Sequence, residues 1–333
     1  MRPREMQIRR HLLRTCAVGA GTLACPALLL AQAAAAWPTR SVRLVVGLAS
    51  GGLADVLTRA LQPHLAEGLG QPVVIDNRGG AGGNLAAIEV IRNGGDGHTF
   101  LVAPTTLESI NPVLYPTMGF DPARELQPVG LLANSHLFLI ARPGLAAASL
   151  KDLAALARAQ PGRLSYGSAG NGTTPHLAGE LFNQSGGLHI VHVPYRGAAP
   201  AIQDVMAGQI DFTFGPGTVF PSVKAGRLKI LAVASRQRAA SYPEAPTFDE
   251  AGFPGVYADS MFGIYAPASM PAAAVTRMSR ELGRALELPV IQARFADLGA
   301  EALPLQPQAF RSRVEAETRL FANLVKERGI KPD

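Results

Sequence analysis

Ser50, Gly51 and Gly52, with Asp55 three residues further on, are the residues best placed to do chemistry, and that chemistry is anion binding. Val42, Leu44, Val45 and Val46 lead into them as a short apolar, β-branched run, and Leu53, Val56, Leu57, Ala60, Leu61 and Leu65 follow at the spacing of one helical face. A strand that breaks on glycines into a helix leaves the first backbone N–H groups of the helix without partners. They sit at the positive end of its dipole, with no bulky side chain in the way. A carboxylate or phosphate is favoured there. Asp55, in the first helical turn, is expected to order the loop and tune the site rather than react.

Other chemistries have less behind them. Gly47, Gly80-x-Gly82 and Gly170-x-Gly172 miss the third glycine of a dinucleotide fingerprint, and no Walker lysine follows any of them. Ser50 and Ser168 lack a glycine two places earlier, so neither makes a nucleophile elbow. Ser168 is expected to donate a hydrogen bond or close a turn. His189 and His192 lie three apart on a predicted strand, which sends them to opposite faces. His176 and Glu180 are one helical turn apart and can meet, yet His176 follows the helix start at Thr173-Thr174 and reads first as a structural histidine. No metal or cofactor is expected. A secreted α/β enzyme, a hydrolase or lyase of a carboxylated substrate, is the alternative, and it would have to rest on Ser168, His176 or Asp55.

The elements that must position these residues alternate strand and helix. Val73 to Ile75 and Thr99 to Val102 read as further strands, separated by the glycine-rich run from Asn77 to Asn84 and a helix from Leu85 to Ile91. Pro63 should kink or divide the first helix. The pattern restarts with a strand at Leu137 to Ile140, a capping box at Ser149 and Asp152, and a strand at Leu164 to Tyr166 that enters the loop Gly167 to Gly172. Helix 174–185, strand 189–193, helix 198–207 and strands 210–214 and 228–233 follow, and helices 271–286, 288–298 and 306–327 close the chain. The expectation is an α/β, two-lobed clamshell, each lobe a mostly parallel sheet flanked by helices, with a ligand held between the carboxyl ends of both sheets. Lobe 1 is drawn from residues 37–137 plus 264–333, and lobe 2 from 138–263.

Residues 1–36 stand apart. Their arginines precede an apolar stretch and then Ala33 to Ala36, the order of an export signal. Arg9-Arg10-His11-Leu12-Leu13 loosely fits a twin-arginine signal, with Sec export the alternative. Without that segment the formal charge of +6 falls to +2, with 26 basic against 24 acidic residues, and no basic stripe for nucleic acid remains. Cys16 and Cys25, the two cysteines, lie within it, so the exported chain has no disulfide or thiol nucleophile.

Several blocks of residues resemble the Bug family of periplasmic substrate-binding proteins. They are Trp37 to Val46, Ser50-Gly51-Gly52-x-x-Asp55, Leu69 to Val74, Asn77-Arg78 with Gly82-Gly83-Asn84, Asp96 to Thr99, Tyr166 to Gly170, His176 to Phe182, Val191 to Gly197 and Lys224 to Leu228. The resemblance implies the receptor of a tripartite tricarboxylate transporter: periplasmic, monomeric, partnered by membrane components, and closing on a small organic carboxylate by hinge motion. It implies carboxylate anchoring by Leu48, Ala49, Ser50, Gly51 and Gly52, and a second contact at Thr105 and Thr106. From the other lobe it implies Ser168, Thr173 and Thr174, with His176, Tyr195 and Gly215 nearby. Gly47-Leu48 replaces a common proline-aromatic pair, and Met261-Phe262 stands where tryptophan is frequent. Gly215 takes the place of an aspartate, which disfavours an amine-bearing ligand.

Overall fold

A computed structural model describes residues 37–93, 97–115 and 117–331; residues 1–36, expected to form the export signal, and Asp96 lie outside them. The apolar run β1 (Val42–Val46) forms the heart of a first sheet, pairing in parallel with β2 (Val73–Asn77) and β3 (Thr99–Pro104). The chain then runs through β4 (Leu126–Ser135) and crosses to a second sheet. This contains β5 (Phe138–Ala141), β6 (Ser165–Ser168), β7 (Val191–Pro194), β8 (Phe212–Gly215) and β9 (Lys229–Val233). It returns with β10 (Ser260–Pro267) and β11 (Ala300–Leu305). The strand orders are β11-β4-β10-β3-β1-β2 and β7-β6-β8-β5-β9.

The molecule is a two-lobed α/β fold, but both sheets are mixed rather than mostly parallel. β10 runs antiparallel to β3 and β4, β11 antiparallel to β4, and β5 antiparallel to β8 and β9. The cause is the crossing itself: strands that carry the chain between sheets meet their neighbours head to tail. The return strand β10 begins at Ser260 and runs through the 263/264 boundary drawn from the sequence.

Helices cover the sheets: α1 (Leu53–Leu69), α2 (Asn84–Asn93), α3 (Leu150–Ala159), α4 (Thr174–Gly186), α5 (Ala198–Ala207), α6 (Ala272–Leu286), α7 (Pro289–Asp297) and α8 (Pro307–Glu327). α1 is not divided at Pro63, which lies on its exposed face, where the carbonyl deprived of a partner meets water. The capping box forms at α3: Ser149 Oγ accepts from the Asp152 amide at 3.2 Å, and the Ser149 amide donates back to the Asp152 carboxylate at 2.9 Å. Val45 and Leu101 pack in the core of the first sheet, and Tyr166, Phe182, Phe212, Phe214 and Phe248 in that of the second.

Three contacts tie the sheets together. Ile110 and Leu114 pack with Leu177 of α4 and with Phe321 and Leu324 of α8. Arg328 Nε donates to Glu180 Oε2 at 2.8 Å. Gly217 and Gly299 touch backbone to backbone, so that a Cβ on Gly217 would lie 2.6 Å from the Gly299 Cα.

Candidate functional site

The loop after β1 ends at the N-terminus of α1, as its glycines require. Gly51 has φ +79°, the left-handed region, with open space where a side chain would project. Two of the amides expected to be free are engaged within the loop. Gly51 N–H donates to Asp55 Oδ2 at 2.8 Å, and Gly52 N–H to the Ala49 carbonyl at 3.2 Å. The amides of Leu48, Ala49, Ser50, Leu53 and Ala54 make no hydrogen bond among the described residues. The anion-binding donors are thus the loop's leading edge and the first helical turn. Asp55 is buried, which alone would raise its pKa. Arg59 Nε at 2.9 Å, the Gly51 amide and Asn77 together hold it below the usual carboxylate range. It braces the loop, and Asn77 Nδ2 braces it from the other side by donating to the Leu48 carbonyl at 3.3 Å.

Thr105 and Thr106 follow β3 at the same edge, both buried, Thr106 opening a helical turn that ends at Ser109. The Thr105 hydroxyl lies on the Glu317 side, where it and Ser109 oppose the rise that burial gives the Glu317 pKa.

In the second sheet the loop after β6 is held from within. Ser168 Oγ donates to the Gly170 carbonyl at 3.0 Å, accepts from the Gly170 amide at 3.1 Å and lies 2.7 Å from His192 Nε2. Thr173 Oγ1 donates to the same carbonyl at 2.6 Å. His176 Nδ1 accepts from the Gly172 amide at 3.1 Å, and its ring stacks on His192 at 3.8 Å between centroids and 6° between planes. Burial lowers the His176 pKa to about 4. Burial and the neighbouring His176 take that of His192 to about 3, so the pair is neutral near pH 7. Thr174 is buried, and its hydroxyl makes no hydrogen bond among the described residues.

Tyr195 donates its hydroxyl to Asp204 Oδ2 at 2.7 Å; burial, with Asp204, pushes its pKa up to about 12. A side chain at Gly215 would start 2.8 Å from Ile140 Cδ1, with Ile202 beyond, so those isoleucines fill the space an aspartate would need.

The named loops therefore end at the carboxyl ends of β1, β3, β6 and β8, the edges at which the chain crosses between sheets. His192 was missed because its partners, Ser168 and His176, lie on separate elements. Glu180, the helical neighbour with which His176 could have gripped a metal, instead accepts from the Tyr166 hydroxyl at 2.9 Å and from Arg328.

A family profile described as tripartite tricarboxylate transporter family receptor matches residues 57–330. The chain belongs to this receptor family. A UPF0065 protein from the tcbD-tcbE intergenic region of Pseudomonas sp. strain P51 is 33% identical over 299 residues, 89% of each chain. BugT of Bordetella pertussis is 30% identical, over 89% of this chain and 91% of its own. Among solved structures, R. palustris Rpa4515 with adipate is 36% identical with a TM-score of 0.85, covering 89% of this chain and 100% of that one. MatC from Rhodopseudomonas palustris with bound malate is 30% identical with a TM-score of 0.81, covering 87% and 100%.

Like these relatives, the protein is a solute-binding receptor of the periplasmic binding protein class. The enzyme alternative finds no support: the homologues are receptors, and Ser168, His176 and Asp55 are bound up in holding their own loops.

Proposed function

We propose that the protein is an exported receptor that captures a small organic carboxylate between its lobes and delivers it to the membrane components of a tripartite transporter. The observation that carries this is the row of unpartnered amides at Leu48, Ala49 and Ser50 running into the N-terminus of α1, a donor set suited to a carboxylate and lacking the geometry of a nucleophile. Thr106 supplies a hydroxyl beside it, and the Ser168 to Thr174 loop faces it from the second lobe. The lobes are assigned as residues 37–137 with 264–333, extended back to Ser260, against the intervening segment. Residues 1–36 direct export, and the receptor acts as a monomer.

Closure about the two crossings brings both loop sets onto the ligand and expels water. Adipate and malate, bound by the R. palustris relatives, head the list of candidates. A thermal-shift screen of the exported protein against dicarboxylates tests the proposal. A ligand at about 100 times its Kd stabilises the folded state by about 2.7 kcal/mol. A screen in which no carboxylate raises the midpoint would overturn the ligand class.

A further inference from the structure

The chain passes between the sheets twice, and one side chain ties the two passages together. His136 stands between the end of β4 and the start of β5, and Asp259 is the residue just before β10. His136 Nδ1 lies 2.9 Å from Asp259 Oδ1, and its Nε2 lies 3.1 Å from Glu301 Oε1 of β11. Ser135, one residue earlier, is in register with both Ser260 of β10 and Ala300 of β11, and the His136 amide donates to the Gly299 carbonyl at 3.3 Å. The imidazole thus clasps the first crossing to the second, and to the edge strand of the first sheet, at the last point where the three strands run together.

Both ring nitrogens face carboxylates, and that arrangement needs an imidazolium. A neutral imidazole has one N–H, so in either tautomer one carboxylate would face a lone pair. Other charged and titratable groups face the same cavity: Arg236, Arg238 and Tyr257 from the segment between β9 and β10, and Arg313 and Glu317 from α8. Arg238 is taken up by Glu250 at 2.9 Å, and Arg236 lies 4.2 Å over the Tyr257 ring. Burial opposes the charge on His136, yet hydrogen bonding and attraction to Asp259 and Glu301 outweigh it, and its pKa is raised above the ordinary value of 6.5. The clasp is therefore complete below about pH 6.5 and is lost as pH rises through the raised pKa. Glu301, with 55% of its side chain exposed against 26% for Asp259, is the partner that water replaces at least cost.

We propose that His136 is a pH-sensitive clasp on the crossings that sets how readily the lobes close, so that the solute is held more tightly in mildly acid than in mildly alkaline surroundings, a control that rests on the carboxylate reading of the cleft. The arrangement it fastens is one in which the lobes meet. Ile110 and Leu114 pack with Leu177, and a side chain on Gly172, in the loop after β6, would run into Leu114. Loss of the Glu301 contact frees the first crossing from β11, and the population of the closed form falls with it. Because proton and ligand favour the same closed state, each tightens the hold on the other.

The test pairs small-angle scattering of the ligand-free exported protein with calorimetry of adipate and malate, each at about pH 6 and about pH 8.5. The variants are His136→Gln, which cannot titrate, and Glu301→Gln, whose amide donates to a neutral Nε2 and accepts from a protonated one. Glu108 and Glu317, with pKa values raised to about 7, titrate in the same window, and both variants keep that background. Wild type has the larger radius of gyration at the higher pH, and its affinity falls between the two by at least about 5-fold more than that of either variant, the lower end of couplings between sites. At the higher pH Glu301→Gln binds more tightly than wild type, which loss of a merely structural contact would not produce. A wild-type radius of gyration that does not grow, or that grows equally in Glu301→Gln, would overturn the proposal, as would equal pH dependence of affinity in those two proteins. If neither dicarboxylate binds while wild type alone expands with pH, the carboxylate reading fails and the clasp stands.

Discussion

Replacing Gly51 by aspartate tests the anion site, provided that backbone strain is separated from charge. Gly51 is left-handed, so any L-residue there costs about 1 kcal/mol, or about 2–3 °C in Tm for a chain of this length. No atom lies within 4 Å of a Cβ built on it, so the new side chain meets no clash. Gly51→Asn has nearly the same shape and tolerates the same backbone, and therefore carries the strain without the charge. The added carboxylate stands beside the amides of Leu48 to Ser50. At about 4 Å from a bound carboxylate, with an effective dielectric constant of about 20 to 40, it opposes binding by about 2–4 kcal/mol. Kd then rises by about 30- to 1000-fold. Titration calorimetry with the best dicarboxylate from the screen, on wild type and both variants, gives the comparison. Equal affinities for Gly51→Asp and Gly51→Asn would remove this loop from the site.

The stacked His176 and His192 have folded pKa values below the unfolded value of 6.5, so the stability they lend is complete above about pH 6.5 and is lost as pH falls toward 4. The His176 share is roughly 3 kcal/mol. Because Glu108 and Glu317 have raised pKa values and act in the opposite sense, the measurement is the difference in urea-unfolding free energy between wild type and His192→Gln at pH 7 and at pH 4.5; a pH-independent difference refutes the assignment. Gly215→Asp crowds Ile140, which lowers stability by about 1–3 kcal/mol and with it Tm, and weakens dicarboxylates. Adding Ile140→Val should restore Tm but not affinity, and recovery of both would mean the effect was packing alone. Ser168→Ala loosens its loop and lowers stability by about 1–2 kcal/mol. Mass spectrometry should recover the ligand intact from both wild type and variant, whereas conversion by wild type that Ser168→Ala abolishes would restore the enzyme alternative.

What the sequence disclosed was local. β1, α1 and the α3 capping box rest on periodicity and short-range pairing, and helix 198–207 was placed to the residue. The strands β4, β10 and β11 were not visible. β4 contains Pro128 and Gly130, β10 has Gly263, and β11 has Pro304, residues that argue against a strand and are accommodated here at register shifts. β4 and β10 are also buried almost throughout, which removes the alternation that marks a half-exposed strand. Of the site, the glycine-rich loops were legible because backbone freedom shows in composition. That Gly51 would give its amide to Asp55 was not, since the exchange depends on where the side chain turns. Glu317 had one available signal. It falls at the helical spacing of Phe310, Val314, Phe321 and Leu324, a charge within the apolar stripe of α8.

Gly217 and Gly299 meet without side chains between them, one after β8 and the other just before β11. Two chains that approach this closely act as a doorstop of fixed thickness: the parts they belong to can swing no nearer, and a single added methyl thickens the stop. Gly217 does not need a left-handed backbone, so alanine or valine there adds thickness against Gly299, with the Phe220 ring, 2.6 Å from the new Cβ, turning aside to admit it. A graded series at this position would hold the molecule ajar by increasing amounts, with the ligand-contact loops chemically untouched. Affinity then becomes a ruler for how far the lobes must travel, read from a site that never touches the solute.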